Sequence, residues 1–162
     1  MHTRPLHGQA TGRYNGKMQI VNSEPPEWIM KGCLDKFRVN VESTVWTYGD
    51  TIYAPGHGTL PDHIIAHESM HEFQQAAYFH QGGKDAWWRR YLAEPRFRLE
   101  QEAEAYGVQY RFFCEHVKDR NRRALFLMQI AGHLSGPLYQ VAISPLKARQ
   151  LIEVLAGERQ LA

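Results

Sequence analysis

The pattern of apolar and polar positions changes near Pro61. Before this residue, two short runs rich in Val, Ile, Thr, Trp and Tyr (44–48 and 51–53) flank Gly49-Asp50, which predicts a β-hairpin. After it, apolar residues recur every three or four positions, which predicts helices. We therefore expect an α+β protein, with a small N-terminal β-sheet followed by a helical core.

The other expected elements are bounded by glycine or proline. They are a strand over 18–21, a helix from Pro26 through Phe37, and helices over 61–80, 84–93, 95–118, 120–133 and 145–156. Residues 1–17 are polar and contain glycine, so we expect a flexible segment there. We expect residues 18–162 to form a single domain, a length sufficient to bury a core without disulfides.

Composition narrows the classes of function. The 162 residues carry a net charge of +2 with mixed signs, which favours neither nucleic acid nor a membrane surface as a partner. Cys33 and Cys114 resemble neither a CxxC metal site nor a disulfide framework. Residues 1–17 hold no apolar run typical of a signal peptide, and no stretch approaches a membrane span. We expect a cytoplasmic protein, and the sequence leaves its oligomeric state open.

The most informative motif is H-E-x-x-H, formed by His67, Glu68 and His71 in the first helix after Pro61. In a helix, positions i and i+4 stand one above the other, so the two imidazoles can bind one metal ion. The glutamate then lies where it can take a proton from a metal-activated water as a general base. This pattern is typical of zinc hydrolases.

Two further expectations concern the surroundings of this helix. An apolar stripe at helical spacing is expected to face the core, with His67 and His71 at its border. The members of the stripe are Ala66, Met70, Phe73 and Ala77. The strand over 51–54 comes just before the helix, and we expect it to be the sheet edge on which an extended peptide pairs.

A catalytic zinc site typically has three protein ligands, and the helix over 95–118 offers several carboxylates. Helical geometry places Glu102 in the middle of an apolar face, whereas Glu100 and Glu104 fall on the charged, solvated face. The apolar face comprises Leu99, Ala105, Tyr106, Gln109, Phe112 and Phe113. A buried carboxylate is costly unless it is paired, so its expected partner is a metal cation or, alternatively, a buried arginine.

The H-E-x-x-H motif followed by Glu102-Ala103-Glu104-Ala105 resembles the gluzincin metallopeptidases, whose third zinc ligand is the glutamate of this later motif. Tyr106 stands where many members have an aspartate. Over residues 45–155 the chain is similar to small phage and prophage proteins with a minimal gluzincin core. The similar segments are 67–75, 88–91, 95–98, 102–106 and 134–139. The resemblance implies a zincin-like fold and one Zn²⁺ held by His67, His71 and Glu102.

The expected function is zinc-dependent hydrolysis of peptide bonds in a peptide or protein substrate, with Glu68 as the base. Two alternatives remain: a non-enzymatic, zinc-stabilised structural or assembly protein of a phage, or a zinc amidase acting on cell-wall peptide. An unliganded glutamate beside the metal favours catalysis, because closed structural sites usually take four protein ligands.

The remaining candidates are polar side chains elsewhere. Tyr106, His133 and Tyr139 are candidates to support the metal ligands or to donate a hydrogen bond to the oxyanion. His63 precedes His67 by one turn, but helical drift excludes it from the same ion, so we expect it at a cleft edge or on the surface. Trp87-Trp88 is expected to pack in the core rather than bind nucleic acid.

Overall fold

The computed structural model describes residues 18–158. The strands are β1 (Gln19–Val21), β2 (Trp46–Tyr48) and β3 (Thr51–Tyr53), and the α-helices are α1 (Glu27–Phe37), α2 (Asp62–Ala77), α3 (Gly83–Ala93), α4 (Pro95–His116), α5 (Arg120–Ser135) and α6 (Pro145–Glu158). Short 3₁₀ turns occupy Val41–Ser43 and Phe79–Gln81. The expected α+β class is confirmed, with a small sheet followed by helices. The segment 1–17 lies outside the described residues.

The chain divides into two compact units within α3, one ending at Trp88 and the other beginning at Arg89. The first unit contains the sheet with α1 and α2, and the second contains α4, α5 and α6. The expectation of a single domain stays a prediction.

The sheet has the strand order β1-β3-β2, with β3 parallel to β1 and antiparallel to β2. The predicted hairpin is confirmed: Tyr48 pairs with Thr51, and Gly49 adopts a positive φ of 61° in the two-residue turn between them. The expectation that the strand over 51–54 forms the sheet edge is wrong. β3 is the central strand, hydrogen-bonded to β2 on one side and to β1 on the other, because β1, from a distant part of the sequence, pairs with its outer edge.

A small apolar core lies beside this sheet in the first unit. Its buried members are Ile52, Ala54 and Leu60, and the partly buried Ile64 and Ile65 of α2 pack against them. α2 also packs against β2. The start of α2 is therefore anchored by apolar contacts.

The second unit is an apolar three-helix core in which α6 packs against both α4 and α5. Its buried residues are Ala103, Tyr106, Phe126, Leu127, Ile130, Ala131, Leu134, Ala148 and Ile152. Gly107 permits the close approach of α4 to α6, since an added Cβ would lie 2.9 Å from Cβ of Leu155. This packing fixes the position of α4 within its unit.

Two further observations bear on the composition. Among the described helices, none combines the length and the apolar character that crossing a membrane requires. Cys33 is buried, Cys114 is partly buried, and neither forms a disulfide bond with another described residue.

Candidate metal centre

α2 presents the H-E-x-x-H motif as a regular helix. Pro61, with φ −58°, directly precedes the first helical residue, and Asp62 places a negative charge in the first turn, where the helix dipole favours it. The helix ends at Ala77, three residues before the predicted end. The chain then turns through Phe79–Gln81 and leaves at Gly82, which has a φ of 100°.

The two histidines of the motif face each other inside the protein. His67 and His71 are each 6% exposed, and their Nε2 atoms lie 3.1 Å apart. Two nitrogens at about 2.0–2.1 Å from one tetrahedral zinc ion are about 3.3 Å from each other. The pair is therefore spaced as two ligands of a single ion are, and it is more deeply buried than the predicted border position.

Gln74 fixes the chemical state of one imidazole. Nδ1 of His71 lies 2.8 Å from Oε1 of Gln74, and the residue is buried. Because an amide oxygen only accepts, Nδ1 of His71 carries the proton and donates it. In the neutral ring, Nε2 of His71 then keeps its lone pair, which is the form of imidazole that binds a metal.

Glu68, between the two histidines in sequence, is also inside the protein. Its residue is 7% exposed, and Oε2 accepts a hydrogen bond of 2.7 Å from the hydroxyl of Thr47. Thr47 lies in the middle of β2, the strand against which α2 packs. The carboxylate is thus held at a defined place beside the histidine pair on the same helix.

The predicted apolar stripe of α2 is only half right. Ala66 and Met70 are buried, whereas Phe73 is 61% exposed and Ala77 is exposed. The buried face is rotated toward polar residues, since burial continues through His67, Glu68, Ser69, His71, Gln74 and Gln75. The physical reason is that Gln74 and Gln75 make hydrogen bonds inside the protein, which offset the cost of their burial.

Glu102 on α4 is buried, as its helical position predicts. It is 3% exposed, and Oε1 accepts a hydrogen bond of 2.5 Å from the hydroxyl of Tyr91. Glu100 is exposed and forms an ion pair with Arg96, and Glu104 is half-buried. Burial therefore singles out Glu102 among the three carboxylates of this segment.

Arg98 is a second buried charged residue of α4, one turn before Glu102, and sequence reasoning did not single it out. Its Nε donates to the carbonyl oxygen of Tyr139 at 2.7 Å, and one terminal nitrogen donates to the carbonyl oxygen of Tyr91 at 2.5 Å. These bonds tie the guanidinium to the chain on either side of α4.

Among the described residues, the group of histidine, cysteine and carboxylate side chains that can hold a metal ion consists of His67, His71 and Glu102. Each offers one ligand atom, and all three residues are buried. The set of two imidazole nitrogens and one carboxylate oxygen suits zinc at a catalytic site.

The candidates for an oxyanion donor occupy different environments. The hydroxyls of Tyr106 and Tyr139 lie 2.8 Å apart. Burial, followed by the nearby Glu102 carboxylate, raises the pKa of Tyr139 well above its ordinary value. His133, near the end of α5, is exposed.

The other histidines stand apart from this group. His63 is half-buried, and burial together with neighbouring His67 lowers its pKa below the ordinary value. His57 is half-buried, and His80 is exposed. Trp87 and Trp88 are buried, which confirms their expected packing role.

Sequence reasoning missed three residues that contact the candidate site residues: Thr47, Gln74 and Tyr91. Gln74 follows His71 by three positions on one helix, a spacing that brings side chains together and that the sequence displays. Thr47 lies 21 residues before Glu68, and no local pattern links the two.

No protein-family model matches this chain, and neither a curated protein nor a solved structure matches it. The resemblance to gluzincins stays a prediction.

Proposed function

We propose that this protein is a zinc-dependent metallopeptidase that hydrolyses peptide bonds, with His67, His71 and Glu102 as metal ligands and Glu68 as general base. The observation that carries the proposal is the buried histidine pair of α2, whose Nε2 atoms lie 3.1 Å apart, together with the buried carboxylate of Glu102 on α4. Glu68, also buried, lies between the histidines in sequence and on the same helix.

The residues fit a zinc ion by donor type and, for the histidine pair, by spacing. The 3.1 Å between the Nε2 atoms of His67 and His71 is close to the about 3.3 Å expected of two zinc ligands. Zinc, when bound, supplies a Lewis acid that polarises the substrate carbonyl and makes a bound water more acidic.

The protein's own part in the reaction is to move one proton. In the proposal, a carboxylate oxygen of Glu68 accepts a proton from the attacking water and then delivers it to the leaving nitrogen. Its burial keeps bulk water away from the transfer, and the bond from Thr47 holds the carboxylate in place. Tyr106, Tyr139 and His133 stay candidates for stabilising the oxyanion, and the raised pKa keeps the Tyr139 phenol protonated as a donor.

Two alternatives make different use of the same residues. A zinc-stabilised structural or assembly protein would bind metal without needing Glu68 as a base, and an amidase would apply the same chemistry to cell-wall peptide. A buried, oriented carboxylate beside three ligands favours hydrolysis, because structural zinc sites usually take four protein ligands. A cytoplasmic location and a phage-like origin also stay predictions.

The test is Glu68→Gln, which keeps the shape of the side chain and removes its ability to accept a proton. We expect zinc content near that of the parent and a fall in hydrolysis of several orders of magnitude, measured by elemental analysis and digestion of a broad peptide library. Glu72→Gln is the matched control, since Glu72 lies one turn further along the same helix and is half-buried.

Three outcomes contradict the proposal or part of it. Hydrolysis that survives Glu68→Gln rejects the assigned base. Zinc bound by a parent that cleaves neither the peptide library nor cell-wall peptide supports the structural alternative. Cleavage confined to cell-wall peptide supports the amidase.

A further inference from the structure

Thr47 is the middle residue of β2 and is 1% exposed. Its Oγ1 lies 2.7 Å from Oε2 of Glu68 and 3.3 Å from the carbonyl oxygen of the same residue. A hydroxyl donates a single hydrogen, and the charged carboxylate is the nearer and stronger acceptor. The side chain of Thr47 is therefore directed at the candidate general base.

Thr47 is itself fixed from the other side. Its carbonyl oxygen accepts hydrogen bonds from Nε2 of Gln75 at 2.8 Å and from Nε1 of Trp88 at 2.9 Å. Oε1 of Gln75 in turn accepts a bond of 2.9 Å from the backbone N–H of Gly49. Because Gln75 lies on α2, these bonds tie β2 to the helix that carries Glu68.

This arrangement has two consequences for the strand. The bonds from Gln75 and Trp88 fix the backbone of Thr47, and therefore the position from which its hydroxyl reaches Glu68, because buried polar groups are costly to leave unpaired. The carbonyl of Thr47 is also occupied, so it is not available to an extended peptide at this position of β2. The strand therefore serves to hold a side chain rather than to pair with substrate at Thr47.

We propose that Thr47 is a positioning residue, whose hydroxyl holds the carboxylate of Glu68 in one orientation. The inference rests on the proposed hydrolytic function, in which Glu68 must meet a water at a defined place. Misplacement of a catalytic group by about 1 Å lowers a rate by about 100-fold, so a single buried bond has a measurable effect.

The kinetic test compares Thr47→Val with Thr47→Ser. Valine keeps the branched shape that suits a strand and removes the hydroxyl, whereas serine keeps the hydroxyl and removes a methyl group. For Thr47→Val we expect kcat to fall by about 10- to 100-fold, the factor that corresponds to a hydrogen bond to a charged group, with KM and zinc content unchanged. Thr47→Ser retains most of the parent kcat.

Thr51→Val is the matched control. It makes the same change in the adjacent strand, where the hydroxyl donates to the side chain of Asp50 at an exposed position. We expect Thr51→Val to keep the kcat, KM and zinc content of the parent. The inference is overturned if Thr47→Val keeps the parent kcat, or if Thr47→Ser loses as much as Thr47→Val does.

A second measurement does not depend on activity or on metal. Urea unfolding of the metal-free parent, Thr47→Val, Glu68→Met and the double variant gives the coupling between the two side chains, since methionine keeps the length of glutamate without its oxygens. We expect the effects on the unfolding equilibrium to depart from additivity by about threefold or more. Additive effects on the unfolding equilibrium would overturn the proposed interaction between Thr47 and Glu68, even if Thr47→Val is too unstable for kinetics.

The two measurements separate this inference from the proposed function. A parent without hydrolase activity refutes the proposed function, and the coupling in metal-free protein then decides whether Thr47 holds Glu68. A parent that is active but shows additive effects refutes only the role of Thr47.

Discussion

Glu102→Gln is the sharpest test of the proposal that Glu102 is the third metal ligand. The substitution keeps the shape of a side chain that is 3% exposed, and Tyr91 can still donate to the remaining oxygen. It removes the negative charge and replaces one oxygen donor with an NH₂ group, which does not bind zinc. We expect zinc affinity to fall by about 100-fold or more. Loss of a group that only hydrogen-bonds to a metal ligand typically lowers the affinity by about 10- to 100-fold, and loss of a ligand should cost at least as much.

The magnitude follows from linkage between binding and folding. Free zinc at about 1,000 times its Kd stabilises the parent by about 4.1 kcal/mol, and a 100-fold weaker variant gains about 1.4 kcal/mol at the same concentration. For a chain of 162 residues, each kcal/mol shifts Tm by about 2–4 °C. Chelation should therefore lower the parent Tm by about 8–16 °C and the variant Tm by about 3–6 °C.

The unfolding temperatures of the metal-free parent and the metal-free variant provide a second comparison. Without metal, the parent must keep a carboxylate in a buried position, and glutamine removes that desolvation cost. Metal-free Glu102→Gln should thus unfold at the same temperature as the metal-free parent or at a higher one. A Glu102 that served instead as the partner of a buried arginine would give the opposite sign, a loss of about 3–5 kcal/mol.

The assay is thermal unfolding of parent and variant with and without EDTA, together with a zinc titration. Glu100→Gln is the control, because Glu100 is an exposed residue of the same helix whose pair with Arg96 contributes about 0.3–0.5 kcal/mol at most. A variant that keeps the full zinc-dependent shift of the parent would refute the assignment of Glu102 as a ligand.

Two further predictions concern residues that sequence reasoning did not single out. Gln74→Met removes the acceptor for Nδ1 of His71 and should weaken zinc binding by about 10- to 100-fold. Gln74→Glu keeps an acceptor and should bind zinc well. Equal zinc affinities of the two variants in a competition titration would contradict this prediction. The hydrogen bond from Tyr48 to Asp85 raises the pKa of Tyr48 to about 12, so its contribution to stability is complete below pH 10 and is lost as the pH rises through 12. The parent should therefore lose more stability than Tyr48→Phe between these pH values, and parallel denaturation profiles would disprove the effect.

The part of the structure that local patterns control was predictable. Helices α2 to α6 begin and end within a few residues of their predicted bounds, because glycine, proline and apolar spacing act within a few residues along the chain. The burial of Glu102 followed from the same reasoning, since its neighbours at helical spacing are apolar. The H-E-x-x-H spacing likewise predicted that His67 and His71 face each other, which the 3.1 Å between their Nε2 atoms confirms.

The part that depends on distant contacts was not predictable. β3 was expected at a sheet edge because nothing in residues 18–21 indicates that they would pair with residues 51–53. The buried face of α2 was misjudged for the same reason: Gln75 is buried because it bonds to the backbone of the β2–β3 hairpin, 28 residues away at Thr47. A polar residue that satisfies its hydrogen bonds inside a protein looks like a surface residue in the sequence.

This polar face of α2 is itself an argument about function. A helix that served only to stabilise the fold would bury apolar side chains, since replacing buried polar groups with apolar ones of similar volume is often neutral or stabilising. α2 instead buries His67, Glu68 and His71. Thr47 donates a hydrogen bond to Glu68, and Gln74 accepts one from His71. Each of these bonds restricts the direction of a proposed ligand or of the proposed base, which a helix that only stabilised the fold would not require. The arrangement therefore supports the proposed hydrolysis at a metal centre, which requires fixed side-chain orientations.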